Sequence, residues 1–275
     1  MSEFAEKYGP WALVVGASDG CGALFAERLA REGVDVVLVA RREHVLNDVA
    51  ASIGERTGAG TRTLAVDLTD PNAAQTVIDA TADLDIGMLV YCAGADPNYQ
   101  PFLANPVSVA EALLQRNCLV LMRLCHHYAG KMVERGRGGI VNFSSGAALA
   151  GGPNMAAYGG TKAFDMVFTE ALWAELHNKG VDVLCLLLGK TDTPALRELE
   201  YIRGQIASLD DVPPGAIPAA TVIDEAFDNL SNGPTLMVGD MMRMAEEVFK
   251  TLSRNDAVKM VIQAGAQAMG SDGEH

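Results

Sequence analysis

Short apolar runs alternate with stretches of helical periodicity along the whole chain. Residues 11–15, 34–40 (VDVVLVA), 62–66, 86–91, 140–143, 181–188 (VDVLCLLL) and 235–238 read as strands. Most are nearly unbroken apolar runs, the pattern of strands covered on both faces. Helical patterns fill the intervals, the first over residues 23–31 with a stop at Gly33. Asp70 reads as a helix N-cap with Pro71 at the first helical position. Ser108 and Glu111 form a capping box that opens a long helix to about residue 134, with Asn117 in its interior. Strand and helix in alternation predict an α/β fold: a single-domain, doubly wound (Rossmann-type) parallel sheet of about seven strands with helices on both faces, spanning residues 1–275. Neither an internal repeat nor a linker divides it. Ligands of such sheets bind beyond the carboxyl ends of the strands.

The loops at those ends carry the candidate chemistry. After the first strand come Gly16, Ser18, Asp19, Gly20, Cys21 and Gly22, then a helix. Glycines let backbone approach a ligand, and a helix N-terminus offers unpaired N–H groups to a pyrophosphate. The spacing is G-x-x-x-G-x-G, not the G-x-G-x-x-G of the standard dinucleotide fingerprint. Where an NAD-binding chain places an acidic residue after the second strand, this one has Arg41 and Arg42. A guanidinium suits a ribose 2′-phosphate, which favours NADP(H) over NAD(H). Glu43 and Asp19 stand close enough in sequence to neutralise it. The fourth strand opens into another small-residue turn at Cys92, Ala93 and Gly94.

The fifth strand runs into Ser144, Ser145 and Gly146, and a loop of small residues leads to a helix bearing Tyr158 and Lys162. Positions four apart share a helix face, so phenol and ammonium project together. A positive charge beside a phenol favours its phenolate, which makes Tyr158 a candidate acid/base near neutral pH. A Tyr-x-x-x-Lys pair alone is a weak signal; its place in this chain strengthens it.

Composition narrows the function classes. A net charge of −14 argues against a nucleic acid or an anionic membrane surface as partner. The 49% hydrophobic and 20% charged content, without low-complexity blocks, fits a globular protein. Five cysteines, Cys21, Cys92, Cys118, Cys125 and Cys185, lie in apolar segments without CxxC spacing. They read as free thiols, and no Cys/His cluster points to a metal. With neither a signal-like N-terminus nor a membrane-length apolar run, a cytoplasmic protein is expected. His126 and His127, within the long helix, read as structural.

The glycine turn at 16–22, Asp67 after the third strand, and Ala93 and Gly94 after the fourth form one joint pattern with Asn117, Ser145, Tyr158 and Lys162. Ser145 lies thirteen residues before Tyr158, and Gly189 and Thr193 follow the sixth strand. Over nearly its whole length the chain resembles the short-chain dehydrogenase/reductase family. The resemblance implies a hydride transfer between a nicotinamide cofactor and a ketone or secondary alcohol. Tyr158 would give or take the proton, Ser145 would hold the reacting oxygen, and Lys162 would act on the tyrosine and the ribose. Asn117 would hold a water on a proton path. Ser18, Cys21, Leu68, Cys92 and Thr191 join the residues expected along the cofactor. The chain departs from the family at Tyr91 and Cys92, where two asparagines are usual, and at Leu188 before Gly189, where proline is usual.

Residues 191–220 are expected to form a substrate lid, with Leu196, Leu199, Tyr201, Ile202, Ile206 and Leu209 on an apolar face. The opposite wall should come from residues 147–155 and 95–102, in which Asp96 and Tyr99 are the polar exceptions. An uncharged, apolar carbonyl or alcohol is the expected substrate. Residues 240–270 read as a methionine-rich helical region used for packing. The helix at 155–176, apolar nearly all round, suggests burial by a partner subunit, and the family implies a dimer or tetramer. Two other readings are a sugar-nucleotide epimerase or dehydratase holding NAD, and a dinucleotide-binding redox sensor without turnover.

Overall fold

The computed structural model describes residues 2–95 and 99–268. Seven parallel strands form the central sheet: β1 (Trp11–Val15), β2 (Asp35–Ala40), β3 (Thr61–Ala65), β4 (Ile86–Tyr91), β5 (Gly138–Ser145), β6 (Val181–Leu188) and, later in the chain, β9 (Thr235–Met237). Between the last two lie the short paired strands β7 (Thr191–Asp192) and β8 (Ile217–Pro218). The sheet order is β3-β2-β1-β4-β5-β6-β9. The direction of winding reverses between β1 and β4, which opens a crevice at their carboxyl ends.

Helices cover both faces. In chain order they are α1 (Glu3–Tyr8), α2 (Gly20–Arg31), α3 (Glu43–Thr57), α4 (Ala73–Ala80), α5 (Val107–Leu114), α6 (Val120–Arg135), α7 (Ala156–Leu176), α8 (Pro194–Ile202), α9 (Ala219–Asp228), α10 (Asp240–Thr251) and α11 (Arg254–Ala268). Successive strand residues point to opposite faces, so each strand feeds two cores. Ala12 and Val14 of β1 pack with Phe25, Leu29 and Val222 from α2 and α9. Leu13 and Val15 pack with Val77, Leu121 and Tyr128 from α4 and α6. Burial on both sides explains why the central strands lack alternation.

Several local expectations are corrected. The Asp70 carboxylate accepts from Asn72 N–H at 2.7 Å in a turn, and α4 starts only at Ala73. Asp70 is thus a turn former and Pro71 precedes the helix. The expected capping box does not form: α5 starts at Val107 after Pro106, whose extended backbone ends the preceding loop, and Ser108 sits inside the first turn. The long helix expected through residue 134 is interrupted by a π-turn at Gln115–Leu119. The C-terminal helical region is two helices, because Leu252 is extended and Ser253 accepts from Asp256 N–H to cap α11. The polar position Asp96 lies outside the described residues.

Candidate active site

At the carboxyl end of β1 the chain passes Gly16 with φ +91°, where a Cβ would lie 2.7 Å from the backbone nitrogen of Ala93. Only glycine lets the turns after β1 and β4 touch. Gly22 closes the other side, since a Cβ there would lie 2.1 Å from the Gly16 carbonyl oxygen. These contacts seat the first turn of α2 at the strand end, where the Asp19 side chain does not cap its N–H groups. Cys21 belongs to that turn, and burial pushes its thiol up to about 12. Thr193, capping α8 through Leu196 N–H, reaches back so that a Cβ on Gly20 would meet its Cγ2 at 3.0 Å. Thr191 sits beside it on β7. Gly189 shows no such constraint, as an added Cβ would make only ordinary contact with Met242.

The second strand ends in the basic pair. Arg42 folds back across the glycine turn to an ion pair with Asp19, and its Nη2 lies 3.3 Å from Ser18 Oγ. Arg41 is exposed, and its charge acts on Asp67 at the end of β3. The Asp67 carboxyl is held below the usual range, first by accepting from the Thr69 N–H and hydroxyl and then by Arg41 and Arg116. Leu68 is buried beneath this loop.

The candidate reactive groups lie where β4, β5 and α7 converge. Gly94 has φ +137°, and a Cβ there would lie 3.0 Å from Lys162 Nζ and 3.1 Å from Asn117 Oδ1. Three separate elements thus deliver a glycine, an ammonium and an amide to one point. Asn117 is fully buried in the π-turn, donating to Thr161 Oγ1 at 2.9 Å and to the Gly94 carbonyl at 3.3 Å. Tyr91, in place of the usual asparagine, donates its phenol to the Arg116 carbonyl inside that π-turn. Burial pushes this phenol's pKa well up, so it remains a donor. Next in the chain, Cys92 is likewise pushed well up by burial.

Lys162 Nζ donates to the Phe143 carbonyl at 2.7 Å and to Asp165 Oδ2 at 2.9 Å. Burial alone would pull the ammonium's pKa down; Asp165 and then Tyr158 more than offset this, and the net direction is upward. The Tyr158 ring centre lies 5.9 Å from Nζ. Ser144 donates to the Lys162 carbonyl at 2.8 Å, tying β5 to α7. Ser145 accepts from Ala147 N–H at 3.2 Å, which leaves its hydroxyl proton for another acceptor. Tyr158 opens onto a depression lined by Gln100, Phe102, Val109, Leu113 and Met155.

The sequence reading misses Asp165 and the contribution of α5 to that depression. An acidic residue three positions after Lys162, within a largely apolar helix, is the signal for the first. The α7 face turned inward is in fact polar, with Thr161, Lys162, Asp165 and Thr169 buried. The glycine cradle and the Lys162–Asn117–Gly94 junction fit a dinucleotide laid across the crevice.

The family described as short chain dehydrogenase matches residues 10–202. The chain belongs to this family. A 7beta-hydroxysteroid dehydrogenase of Clostridium sardiniense is 35% identical over 263 residues, covering 93% of this chain and 95% of the relative. One of Collinsella aerofaciens is 34% identical, with 85% and 88% covered. A solved structure concerned with 7beta-hydroxysteroid dehydrogenase stereoselectivity superposes with TM-score 0.85 at 31% identity, covering 95% of this chain and 99% of that one. A short-chain dehydrogenase from Sphingobium yanoikuyae in complex with NADPH gives 0.72 at 30% identity, covering 89% and 97%. This short-chain dehydrogenase is therefore an oxidoreductase of an NAD(P)-using family. Among the described residues no helix is long and apolar enough to cross a membrane.

Proposed function

We propose that the enzyme interconverts an uncharged, steroid-sized ketone and its secondary alcohol, with NADP(H) as the preferred cofactor. The observation that carries this reading is the convergence of Lys162 Nζ, Asn117 Oδ1 and Gly94 beside Tyr158. When bound, the nicotinamide dinucleotide supplies or accepts the hydride. Gly16, Gly20 and Gly22, with the first turn of α2, would hold its pyrophosphate, and Asp67, Leu68, Ala93 and Gly94 would line its adenosine half and ribose.

In reduction Tyr158 gives its proton to the carbonyl oxygen, and in oxidation it takes one from the alcohol. Ser145, its oxygen already accepting from Ala147, donates its hydroxyl to the same oxygen and fixes it. Lys162 would stabilise the phenolate form of Tyr158, and the one N–H not given to Phe143 or Asp165 would go to a ribose hydroxyl. Asn117 offers an acceptor beside Lys162 for a water on the proton path.

Arg41 supports the NADP(H) preference as an exposed guanidinium at the end of β2. The depression beside Tyr158, in which Phe102, Val109, Leu113 and Met155 line the wall together with Gln100, Asn105 and Asn154, and the 7beta-hydroxysteroid dehydrogenase relatives support the substrate class. Residues 191–220 would serve as the lid: Leu196 and Leu199 are half-buried and Ile206 is buried, while Tyr201, Ile202 and Leu209 remain exposed. Exposed Leu114, Leu119, Met122 and Val167 on α5 to α7 favour a homo-oligomer. The free thiols fit a reducing, cytoplasmic setting.

The test is NADPH oxidation, followed by absorbance, against oxosteroids with the carbonyl at different ring positions. Turnover of one positional isomer, with NADH much weaker, is the expected outcome. Activity only on small or charged carbonyls would contradict the substrate class.

A further inference from the structure

A buried charge beside Lys162 has no part in the mechanism so far. Asp165 lies on α7, almost wholly inaccessible, one turn beyond Lys162 and facing the sheet. Its Oδ2 accepts from Lys162 Nζ at 2.9 Å, while its Oδ1 is buried without a hydrogen-bond partner. The backbone carbonyl of Asp165 accepts from Thr169 Oγ1 at 2.6 Å, and Asn142 Nδ2 lies 3.0 Å from that same hydroxyl, which anchors this turn of α7 to β5. A buried carboxylate with half its acceptors unfilled is costly unless a cation stays beside it.

The surrounding titratable groups come from every packed element. Tyr91 and Cys92 stand on β4 and the turn after it, Cys118 on the π-turn, Cys125 on α6 and Cys185 on β6. Burial pushes all of them up, so they stay neutral across an enzyme's working range. Arg116 acts on Tyr91 from the π-turn, and Glu170 on Cys185 from further along α7. Tyr158 completes the set on α7 itself. Burial pushes the Asp165 carboxyl up, while Lys162 and then Asn142 pull it back, and it is the acid in direct contact with the lysine.

We propose that Asp165 is a positioning residue for the reaction: a buried counter-ion that fixes Lys162 Nζ against the Phe143 carbonyl and sets the pH at which the Tyr158–Lys162 pair gives up its proton. The inference rests on the dehydrogenase reading of that pair. The sign follows from charge alone. With Asp165 ionised, loss of one proton from the pair leaves a net negative charge buried; without Asp165 the same loss leaves the cluster neutral. Whichever partner holds the proton, removing the carboxylate makes the first proton easier to lose. Asp165 therefore holds the pair protonated to higher pH than a Tyr-x-x-x-Lys pair without it.

The experiment compares kcat/KM for alcohol oxidation against pH in the wild type and Asp165→Asn, with NADPH binding followed by fluorescence and folding by thermal melting. The acid limb should move down by about one pH unit or more in the variant, while NADPH still binds. A residue that merely packs would lower the rate evenly at every pH, so superimposable normalised profiles overturn the proposal. If Asp165→Asn does not fold, Asp165→Ser takes its place with the same expected shift. If neither folds, lysine 15N spectra of the wild-type complex with NADP+ decide, with the signal assigned by its loss in Lys162→Met. An ammonium at Lys162 that persists to higher pH than an ordinary lysine supports the pair, and one lost at lower pH than an ordinary lysine overturns it. A wild type that binds no NADPH and oxidises no alcohol defeats the dehydrogenase reading itself. An active wild type with unshifted variants defeats only the role of Asp165.

Discussion

Arg41 and Arg42 are adjacent, yet the fold gives them different work. Arg42 is spent on Asp19 and Ser18 across the glycine turn, while Arg41 stays exposed at the end of β2. A guanidinium–phosphate contact is worth about 1.5–3 kcal/mol, or roughly 10–100-fold in affinity. Arg41→Ala should weaken NADPH binding by that factor and leave NADH binding nearly unchanged, as read by fluorescence titration. Asp19→Asn should release Arg42 and tighten NADPH binding. Equal losses for the two cofactors in Arg41→Ala would contradict this assignment. Both arginines are visible in the sequence, but their division of labour depends on how the glycine turn folds back, which spacing cannot reveal. Asp165 is different: its spacing of three from Lys162 is visible in the sequence, and what the structure adds is that this face of α7 is turned inward.

At the scale of elements, β4 and β6 are legible to the residue, because an apolar run covered on both faces ends where small loop residues begin, Cys92-Ala93-Gly94 after one and Gly189 after the other. The π-turn at Gln115–Leu119 is not. An extra residue in one helical turn leaves no mark on apolar periodicity that a reader could separate from an ordinary helix. Here it points Asn117 at Thr161 and Gly94, and Tyr91 satisfies one of its carbonyls. Tyr91→Phe would leave the Arg116 carbonyl without that donor, a cost of about 1–3 kcal/mol. We expect faster amide exchange across residues 115–119 and a lower kcat, with NADPH affinity little changed. Unaltered exchange there would show that Tyr91 does not hold the turn. The two capping positions, Asp70 and Ser108, each have a proline nearby, Pro71 one residue after the first and Pro106 two residues before the second, and in both cases the helix starts elsewhere, at Ala73 and at Val107.

For the molecule as a whole, the sheet and its two covering layers follow from strand and helix alternation, while strand order is supplied by the structure. Buried thiols give that architecture a pH limit. Cys21, Cys118 and Cys185 are pushed up to about 12 by burial, from an ordinary value of 9.0. Their folded pKa values lie above the unfolded ones, so between these limits the folded state binds more protons than the unfolded state. Stability is then fully present below about pH 9 and falls as pH rises towards 12. Thermal melts from pH 8 to 11 should show a transition that drops steadily above about pH 9; a flat profile would contradict buried thiols. The central claim concerns one phenol. In Tyr158→Phe, kcat/KM for ketone reduction should fall by about 10²–10⁴-fold while NADPH binds with nearly wild-type affinity. Full turnover in that variant would contradict the account.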